Sequence, residues 1–326
     1  MEAAISETVS RPPGQMDKRK KRSETMRKLY LGRYLYMLFI PAVVYFIVFH
    51  YIPMAGILIA FFNFNPYDSI FNSKWIGLRH FIDFVTYPGL PRLIRNTAII
   101  SSLKILFGFP LPIIFAIVLN EVKRIKFKKV VQTISYFPHF ISWVIVYGLA
   151  LNLFSPSFGM VNLIIKQFGG EPVNFLMQKS FFVPLLVGSG VYVSYGWSSI
   201  IYIATIAGIN DEYYEAAWID GAGRLRQIWH ITMPELLPMI TFSLIGIVSA
   251  IFSCDFQQIM IMMGSGQNKS LLEVGDVIDY YIYRVGMEGA LYSFSTAATI
   301  VKSIVSLILI QVSNKIANSV GQMGLW

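Results

Sequence analysis

Residues 210–223 have the sequence NDEYYEAAWIDGAG, a polar stretch between two long apolar segments. Asn210 or Asp211 can cap a helix that begins here, because a short polar side chain accepts a hydrogen bond from the first free N–H groups. The acidic residues that follow lie in the first turn, where the helix dipole favours negative charge. The stretch therefore predicts a short polar helix that ends near Asp220.

The residues after this helix predict a turn and a second short helix. Gly221 and Gly223 suit a left-handed helix exit. A second helix can begin near Arg224, and we expect Pro234 to end it. One side of that helix carries four residues suited to packing, namely Leu225, Ile228, Trp229 and Thr232. Such a small element buries little by itself, so we expect another protein to hold it.

The composition indicates an all-α membrane protein. Of the 326 residues, 55% are hydrophobic and 14% are charged, whereas soluble domains carry about 25% charged residues. The apolar residues also form runs of the roughly 20 residues that one membrane span needs. We predict six transmembrane helices, at about 34–62, 97–119, 131–154, 182–207, 238–263 and 291–317.

Basic residues predict the orientation of these spans. The tail before Tyr34 and the loop from Lys123 to Lys129 are rich in Lys and Arg, which favour the cytoplasmic side and anionic membrane lipid. Both termini and residues 210–237 are then cytoplasmic. Because the basic runs flank spans, nucleic-acid binding is not expected. Four basic residues oppose this orientation from the first outer segment, namely Lys74, Arg79, Arg92 and Arg95.

Two ionisable residues lie inside predicted spans, Lys302 in the sixth and Asp255 in the fifth. A charged side chain at the bilayer centre costs about 2.5–3.5 kcal/mol on insertion scales, so it usually faces a partner or a wet cavity. Two interpretations remain open. Lys302 and Asp255 form a pair that stabilises the bundle, or one or both of them line a solute path.

Aromatic and amide side chains near the span ends suggest sugar binding. Sugar rings have apolar C–H faces and polar edges, which match aromatic rings beside hydrogen-bonding groups. An ordinary interfacial belt of Trp and Tyr accounts for each residue equally well. The candidates are Tyr136, Trp143, Tyr195, Trp197 and Gln257.

Enzymatic chemistry has little support in the sequence. None of the four histidines stands in a metal-binding pattern, and no spacing of Ser, His and carboxylate indicates a catalytic triad. The run Gly264–Ser270 lacks the Gly that a phosphate-binding loop places before its Lys, since Asn268 precedes Lys269. We therefore expect a chain that is not an enzyme, has no ATPase site of its own and binds no metal.

Residues 210–234 resemble the EAA signature of permease subunits of bacterial ABC importers. The matching residues are Glu215, Ala216, Ala217, Asp220, Gly221, Ala222, Ile231 and Pro234. The visible departure is Met233, where Leu is commoner. Three further stretches, 51–56, 135–143 and 196–202, are similar to the oligosaccharide and polysaccharide branch of these permeases.

The resemblance implies an architecture: a type I ABC importer permease fold with six transmembrane helices and a cytoplasmic coupling helix, in the bacterial cytoplasmic membrane. It divides the chain into a basic cytoplasmic tail (1–33), a first transmembrane helix with an external segment (34–92), a permease domain (93–313) and a C-terminal tail (314–326).

The resemblance also implies partners. These are a second permease subunit, usually a different chain, two cytoplasmic ATPase subunits, an external solute-binding protein and an oligosaccharide substrate. ATP and Mg²⁺ bind to the ATPases, so this chain binds no cofactor. The residues 210–237 are then the coupling segment, in which Glu215 and Gly221 are the contacts we stress most.

Two alternatives remain. The EAA signature does not distinguish sugar permeases from those for a peptide, an amino acid or an ion, although the three sugar-branch stretches favour a sugar. An ion-coupled carrier with Lys302 and Asp255 as its charge pathway needs no ATPase partner. The sequence shows none of the inverted, broken spans common in such carriers.

Overall fold

A computed structural model describes most of the chain between residues 32 and 319. The described ranges are 32–67, 72–252, 255–264 and 268–319. The predicted basic tail (1–33) therefore lies almost wholly outside the described residues. The end of the predicted C-terminal tail, from residue 320, and the middle of the run Gly264–Ser270 lie outside them as well.

The described residues are mainly helical. The helices are, in chain order, α1 Arg33–Phe46, α2 Arg79–Val85, α3 Leu90–Gly108, α4 Pro110–Asn120, α5 Ile125–Tyr136, α6 Trp143–Phe154, α7 Met160–Gln167, α8 Lys179–Ala207, α9 Asp211–Ile219, α10 Arg224–Gln227, α11 Met233–Ser249, α12 Phe256–Met262, α13 Leu272–Gly275, α14 Ile278–Tyr283 and α15 Tyr292–Ser319.

Short irregular elements join several of these helices. Two strands, β1 Phe62–Asn63 and β2 Lys74–Trp75, pair antiparallel. The 3₁₀ turns are Ala55–Phe61, Phe137–Phe140, Phe175–Met177 and Lys269–Leu271, and the π-helical turns are Ile47–Tyr51, Ile228–Thr232 and Arg284–Glu288.

The chain forms two compact units, one that ends at Leu58 and one that begins at Ile59. The first contains α1, which continues through the π turn Ile47–Tyr51 into an apolar helical segment that ends at Phe61. All other helices belong to the second unit.

The structure has the predicted six membrane spans only if each of two bent helix pairs counts as one span. Four helical segments of the described chain are long and apolar enough to cross a bilayer, namely Arg33–Phe61, Leu90–Asn120, Arg224–Val248 and Tyr292–Ser319. Two bent pairs raise the total to six when each pair is one span: Ile125–Phe140 with Trp143–Phe154, and Lys179–Ala207 with Asp211–Ile219. The exact count of six therefore stays a prediction.

The third predicted span, 131–154, is wrong as a continuous helix. The chain bends by 101° between Phe140 and Trp143. Pro138 lacks an N–H group and lies within the 3₁₀ turn, and Ser142 has an extended backbone (ψ 151°). At the bend, Ile141 and Ser142 belong to no helical element.

The fifth predicted span, 238–263, is wrong at both ends. One helical segment runs from Arg224 to Val248, so Pro234 does not end it, and α12 is separate. The π turn Ile228–Thr232 directly precedes Met233 and Pro234. Such a turn changes the hydrogen-bond register of a helix, and a proline in the first turn of the helix that follows needs no N–H partner.

The 29-residue helix α8 lies at the centre of the second unit. Its N-terminal half contributes Phe182, Leu186 and Val193 to a buried cluster with α3, α6, α12 and α14. Its other half contributes Tyr202 and Ile206 to a cluster with α4 and α11. The helices of both clusters therefore pack against α8.

Gly196 is the point of closest approach between α8 and α5. A Cβ at Gly196 would lie 1.9 Å from the backbone oxygen of Ser135, and both residues are buried. Backbone atoms cannot move aside as a flexible side chain can. The two helices therefore cross at this distance only because residue 196 has no side chain.

We expect Gly196→Ala to destabilise the protein by about 1–3 kcal/mol, the usual cost of overpacking. Gly188→Ala on the same helix is the matched control, because a Cβ there meets nothing within 4 Å. That control should be neutral or slightly stabilising, since alanine favours helices. Thermal unfolding in detergent measures both variants, and equal melting temperatures for the two would contradict the prediction.

The loops of the second unit lie at the two ends of its helix bundle. At one end Arg224 approaches Glu121, which follows α4, with 3.9 Å between Nη1 and Oε2. At the other end Lys179 donates to the carboxylate of Glu273, and the Asn268 amide contacts the sulfur of Met177. The segment 210–237 and the loop after α4 thus share one end of the bundle.

Candidate functional site

Residues 210–237, which the resemblance identifies as the coupling segment, begin with a capped helix as the sequence predicts. The backbone N–H of Glu212 donates to Oδ1 of Asn210 at 3.0 Å, so Asn210 is the cap and Asp211 is the first residue of α9. Asp211 and Glu212 occupy the first turn. This end of α9 is therefore satisfied without help from another protein.

The exit from α9 depends on Gly221. Its φ is +74°, and the N–H of Ala222 donates to the carbonyl of Ala217 at 2.8 Å. This bond, with that from Gly221 N–H to the Trp218 carbonyl (3.0 Å), closes a Schellman motif. Gly223 differs from the prediction, because its φ is −67° and it begins α10 in an extended conformation.

The two arms of the segment are tied together by side chains. The buried amide of Gln227 donates from Nε2 to the carbonyl of Ala222 at 3.1 Å. The hydroxyls of Tyr214 and Thr232 lie 2.9 Å apart. The bent shape of the segment is thus held by bonds within this chain.

The outward surface of the segment is unusually apolar for a polar end of the molecule. Glu215, Ala216, Asp220 and Gly221 are exposed, Ala217, Ala222 and Ile231 are half-buried, and Pro234 is exposed at the start of α11. Around them four large apolar side chains are at least two-thirds exposed: Trp218 (76%), Ile219 (79%), Leu225 (75%) and Trp229 (67%). Exposed apolar patches of this kind mark interaction sites.

A cavity of about 450 Å³ lies beside α9. Glu215, Trp218, Arg224 and Gln227 line it together with the ends of α4 and α8. Three acidic residues, Glu121, Asp211 and Glu215, line this cleft together with Arg224. The cleft combines charge with apolar surface, as protein interfaces do.

A second cavity, of about 350 Å³, lies where the bend between α5 and α6 meets three other elements. Its lining includes Lys104 from α3, His139 and Trp143 from the bend, and Asp255 and Gln258 at the start of α12. Trp143 Nε1 donates to Oδ2 of Asp255 at 2.8 Å. We call this the bend cavity.

A hydrogen-bond relay forms one wall of the bend cavity. The side chain of Gln258 is fully buried and donates from Nε2 to the Leu186 carbonyl (2.8 Å) and to Ser189 Oγ (3.0 Å). These two acceptors fix the amide orientation. Its Oε1 then accepts from Nζ of Lys104 at 2.5 Å.

The structure brings some of the sugar-binding candidates together and separates others. Trp143 and Asp255 meet in the bend cavity, and Trp197 stacks on His139 with ring centroids 4.5 Å apart. Tyr195 packs edge-on against Phe115 (5.5 Å). Tyr136 bonds to the Ser199 side chain, and Gln257 is exposed.

The predicted pairing of Lys302 with Asp255 is wrong. Lys302 on α15 donates to Oδ1 of Asp279 on α14, and both side chains are less than one-fifth exposed. Asp255 accepts from Trp143 and from the N–H of Gln258, so it caps α12. A stabilising pair therefore exists, with a different carboxylate.

Lys104 is the residue that sequence reasoning missed. It lies within the second predicted span and is the fifteenth residue of the 31-residue apolar segment Leu90–Asn120. A lysine in the middle of an apolar run was the signal that identified Lys302, and it applied equally here.

Charged side chains also cluster at the far end of the bundle. The buried carboxylate of Asp276 accepts from Arg284 Nη2 at 2.8 Å, and Arg92 Nη2 lies 3.5 Å away. The ammonium of Lys179 donates to Glu273 and lowers the pKa of that carboxyl. These pairs join the start of α3 and α8 to the α13–α14 region.

Comparison with known proteins identifies relatives of this chain. The profile of the family described as "Binding-protein-dependent transport system inner membrane component" matches residues 108–318. The polygalacturonan/rhamnogalacturonan transport system permease protein YteP of Bacillus subtilis (strain 168) is 40% identical over 309 residues, 95% of each chain. Protein LplB of the same organism is 40% identical over 301 residues, 92% of this chain and 93% of its own.

A solved structure is also similar. It is a chain of a bacterial alginate ABC transporter, crystallised in complex with an alginate pentasaccharide-bound periplasmic protein. The superposition has a TM-score of 0.80 with 36% sequence identity, and it covers 92% of this chain and 99% of the other.

Proposed function

The chain belongs to the family of binding-protein-dependent transport system inner membrane components, and we propose that it forms half of the channel of an ATP-driven oligosaccharide importer. In this proposal an external solute-binding protein delivers the sugar, and a second permease subunit completes the channel. Two ATPase subunits on the cytoplasmic side bind ATP and Mg²⁺, and this chain hydrolyses no ATP.

The coupling segment is the observation that carries the proposal. It presents Trp218, Ile219, Leu225 and Trp229 to the outside around an exposed Glu215. Its bent shape is fixed internally by Asn210, Gly221 and Gln227. A rigid, apolar and charged projection suits docking into a cleft of another protein.

The connections of the segment to the bundle support a mechanical role. α9 follows α8 after a break of three residues and a bend of 67°. On its other side α10 continues through the π turn into α11 as one helical segment. A displacement of the docked segment therefore reaches two membrane helices at once, as a switch between inward- and outward-open states requires.

Glu215 and Gly221 have distinct roles in this proposal. The exposed carboxylate of Glu215 suits a basic group on the ATPase, because charge-assisted hydrogen bonds are stronger than neutral ones. Gly221 creates the turn and leaves its surface open, since nothing lies within 4 Å of its Cβ position.

The sugar cargo is supported by the relatives and by the bend cavity. Relatives are named for polygalacturonan and rhamnogalacturonan transport and for an alginate transporter. The bend cavity supplies an aromatic ring, Trp143, beside polar groups of Asp255 and Gln258, a combination that suits sugar rings.

Affinity purification of the tagged chain from native membranes tests the proposal. We expect a cytoplasmic ATPase, a second permease and a solute-binding protein to copurify. The ATPase activity of the complex should rise when the solute-binding protein is loaded with an oligosaccharide, and the isolated chain should have none. A chain that transports solute in vesicles without any ATPase would contradict the proposal.

A further inference from the structure

We infer that the bend cavity binds a carboxylate of an acidic oligosaccharide and that Lys104 is the group that contacts it. This inference deepens the proposed function and rests on it, because it names the class of sugar and one specificity-determining residue. The candidate ligand is a short uronic acid oligomer, whose rings each carry one carboxylate.

The position of Lys104 points to a ligand. An ammonium near the middle of a 31-residue apolar span is costly to insert, so such groups usually serve a solute path or a stabilising pair. Lys104 donates to the amide oxygen of Gln258, and its side chain lines the bend cavity.

The relay behind Lys104 is built to orient it. Gln258 is fully buried, and both of its Nε2 acceptors belong to α8. The amide therefore presents its oxygen to the ammonium. Gly190 lies beside both side chains, and its Cβ position is at ordinary contact distance from each, 3.6 Å from Lys104 Cε and 3.6 Å from Gln258 Nε2. Such a preorganised charge binds with a smaller entropic cost than a mobile one.

The other walls of the bend cavity suit a sugar ring and not a small inorganic anion. Trp143 is held by its bond to Asp255, and His139 is held by stacking on Trp197. Both oxygens of Asp255 accept hydrogen bonds from this chain, one from Trp143 Nε1 and one from Gln258 N–H. The lining therefore offers aromatic faces beside one oriented cation, which matches the apolar face and the carboxylate of a uronate.

The chemistry of the relatives' cargo agrees with this assignment. The similar crystal structure is that of a transporter complexed with a periplasmic protein carrying an alginate pentasaccharide, and a second structure is described as importing the acidic polysaccharide alginate. A relative of 40% identity is named for polygalacturonan. Alginate and polygalacturonan are both polymers of uronic acids.

Equilibrium binding to the purified importer, without its solute-binding protein, tests the inference. The probes are trigalacturonate and galactotriose, which is its carboxyl-reduced form. We expect the wild-type importer to bind trigalacturonate at least about ten-fold more tightly than galactotriose, the difference expected for one hydrogen-bonded charge. Lys104→Gln should bring this ratio close to one, and Lys104→Arg should retain most of it.

Lys179→Gln is the matched control, because it removes the same charge from the far end of the bundle. It should keep the wild-type ratio. If Lys104→Gln does not assemble, Gln258→Glu provides the second test, since a carboxylate of the same size neutralises the ammonium and should lower the ratio towards one.

Three results would overturn the inference. The wild-type ratio is close to one, Lys104→Gln keeps the wild-type ratio, or Lys179→Gln loses it to the same extent. If the importer still takes up a neutral trisaccharide and the Lys104→Gln variant takes it up equally well, the proposed function stands and only this inference is overturned. A failure of the proposed function is distinct, because no ATPase then copurifies.

Discussion

Gly221→Asp is expected to abolish uptake by the assembled importer while the chain still inserts and folds. Residue 221 has a φ of +74° with open space around it. Aspartate is one of the few non-glycine residues that adopt this left-handed conformation, so the folding cost is about 1 kcal/mol. We therefore expect the loss to arise at the proposed docking surface, where the new carboxylate would be buried against the ATPase.

The expected size of this loss is at least about a hundred-fold, because an unpaired buried charge costs about 3 kcal/mol or more. Uptake of labelled oligosaccharide by cells or proteoliposomes measures it, and immunoblotting of membranes confirms insertion. Glu215→Lys should have a similar effect, because it places a cation where the proposal expects an anion. Normal uptake by both variants would refute the coupling role of this segment.

Gly223→Asp is the matched control for Gly221→Asp. Gly223 lies two residues further along and has an ordinary φ of −67° at the start of α10. Aspartate is favoured at this N-cap position, so the variant adds the same charge without strain. We expect Gly223→Asp to retain far more uptake. Equal losses in the two variants would show that a charge anywhere on this surface, and not specifically at residue 221, is responsible.

The local structure of the coupling segment was predictable because its signals act over a few residues. The cap at Asn210 and the turn at Gly221 each involve bonds within five residues. The choice between Gly221 and Gly223 was not predictable. Both glycines tolerate a positive φ. Which of them adopts it is decided by the register of the hydrogen bonds that the carbonyls of Ala217 and Trp218 accept.

The effects of proline were harder to predict. Pro138 lies at a 101° bend, whereas the helix passes through Pro234. The difference depends on what surrounds each proline: the π turn Ile228–Thr232 before one, and the 3₁₀ turn Phe137–Phe140 around the other. Hydropathy shows only that both regions are apolar. The sequence prediction therefore treated residues 131–154 as one continuous span and began the fifth span at residue 238, although the helical segment begins at Arg224.

Contacts between distant parts of the chain were beyond the sequence. Two aspartates stood near candidate spans, and nothing in their spacing decides that Asp279 pairs with Lys302 while Asp255 pairs with Trp143. Residue composition nevertheless selected Trp143 and Asp255, which do meet in the bend cavity. The prediction thus selected two residues that share one cavity, and their role there stays a prediction.

Lys302→Met is expected to destabilise the protein by about 3 kcal/mol, the lower end of the cost of breaking a buried ion pair. The lower end applies because Lys302 and Asp279 remain 17% and 14% exposed. The substitution keeps most of the length of the side chain and removes the ammonium group. The loss therefore comes from the carboxylate of Asp279, which no longer has an ammonium beside it in a mostly buried position.

A double-mutant cycle separates this pair from packing effects. If the ion pair accounts for the loss, Asp279→Leu combined with Lys302→Met should recover most of it, because a buried pair replaced by apolar residues is often neutral. Lys315→Met on the same helix removes an exposed charge and should change stability by less than about 0.5 kcal/mol. Thermal unfolding in detergent measures Lys302→Met, Asp279→Leu, the double variant and Lys315→Met. Additive losses in the double variant would mean that Lys302 and Asp279 stabilise the bundle independently, which would return Lys302 to the list of solute-path candidates.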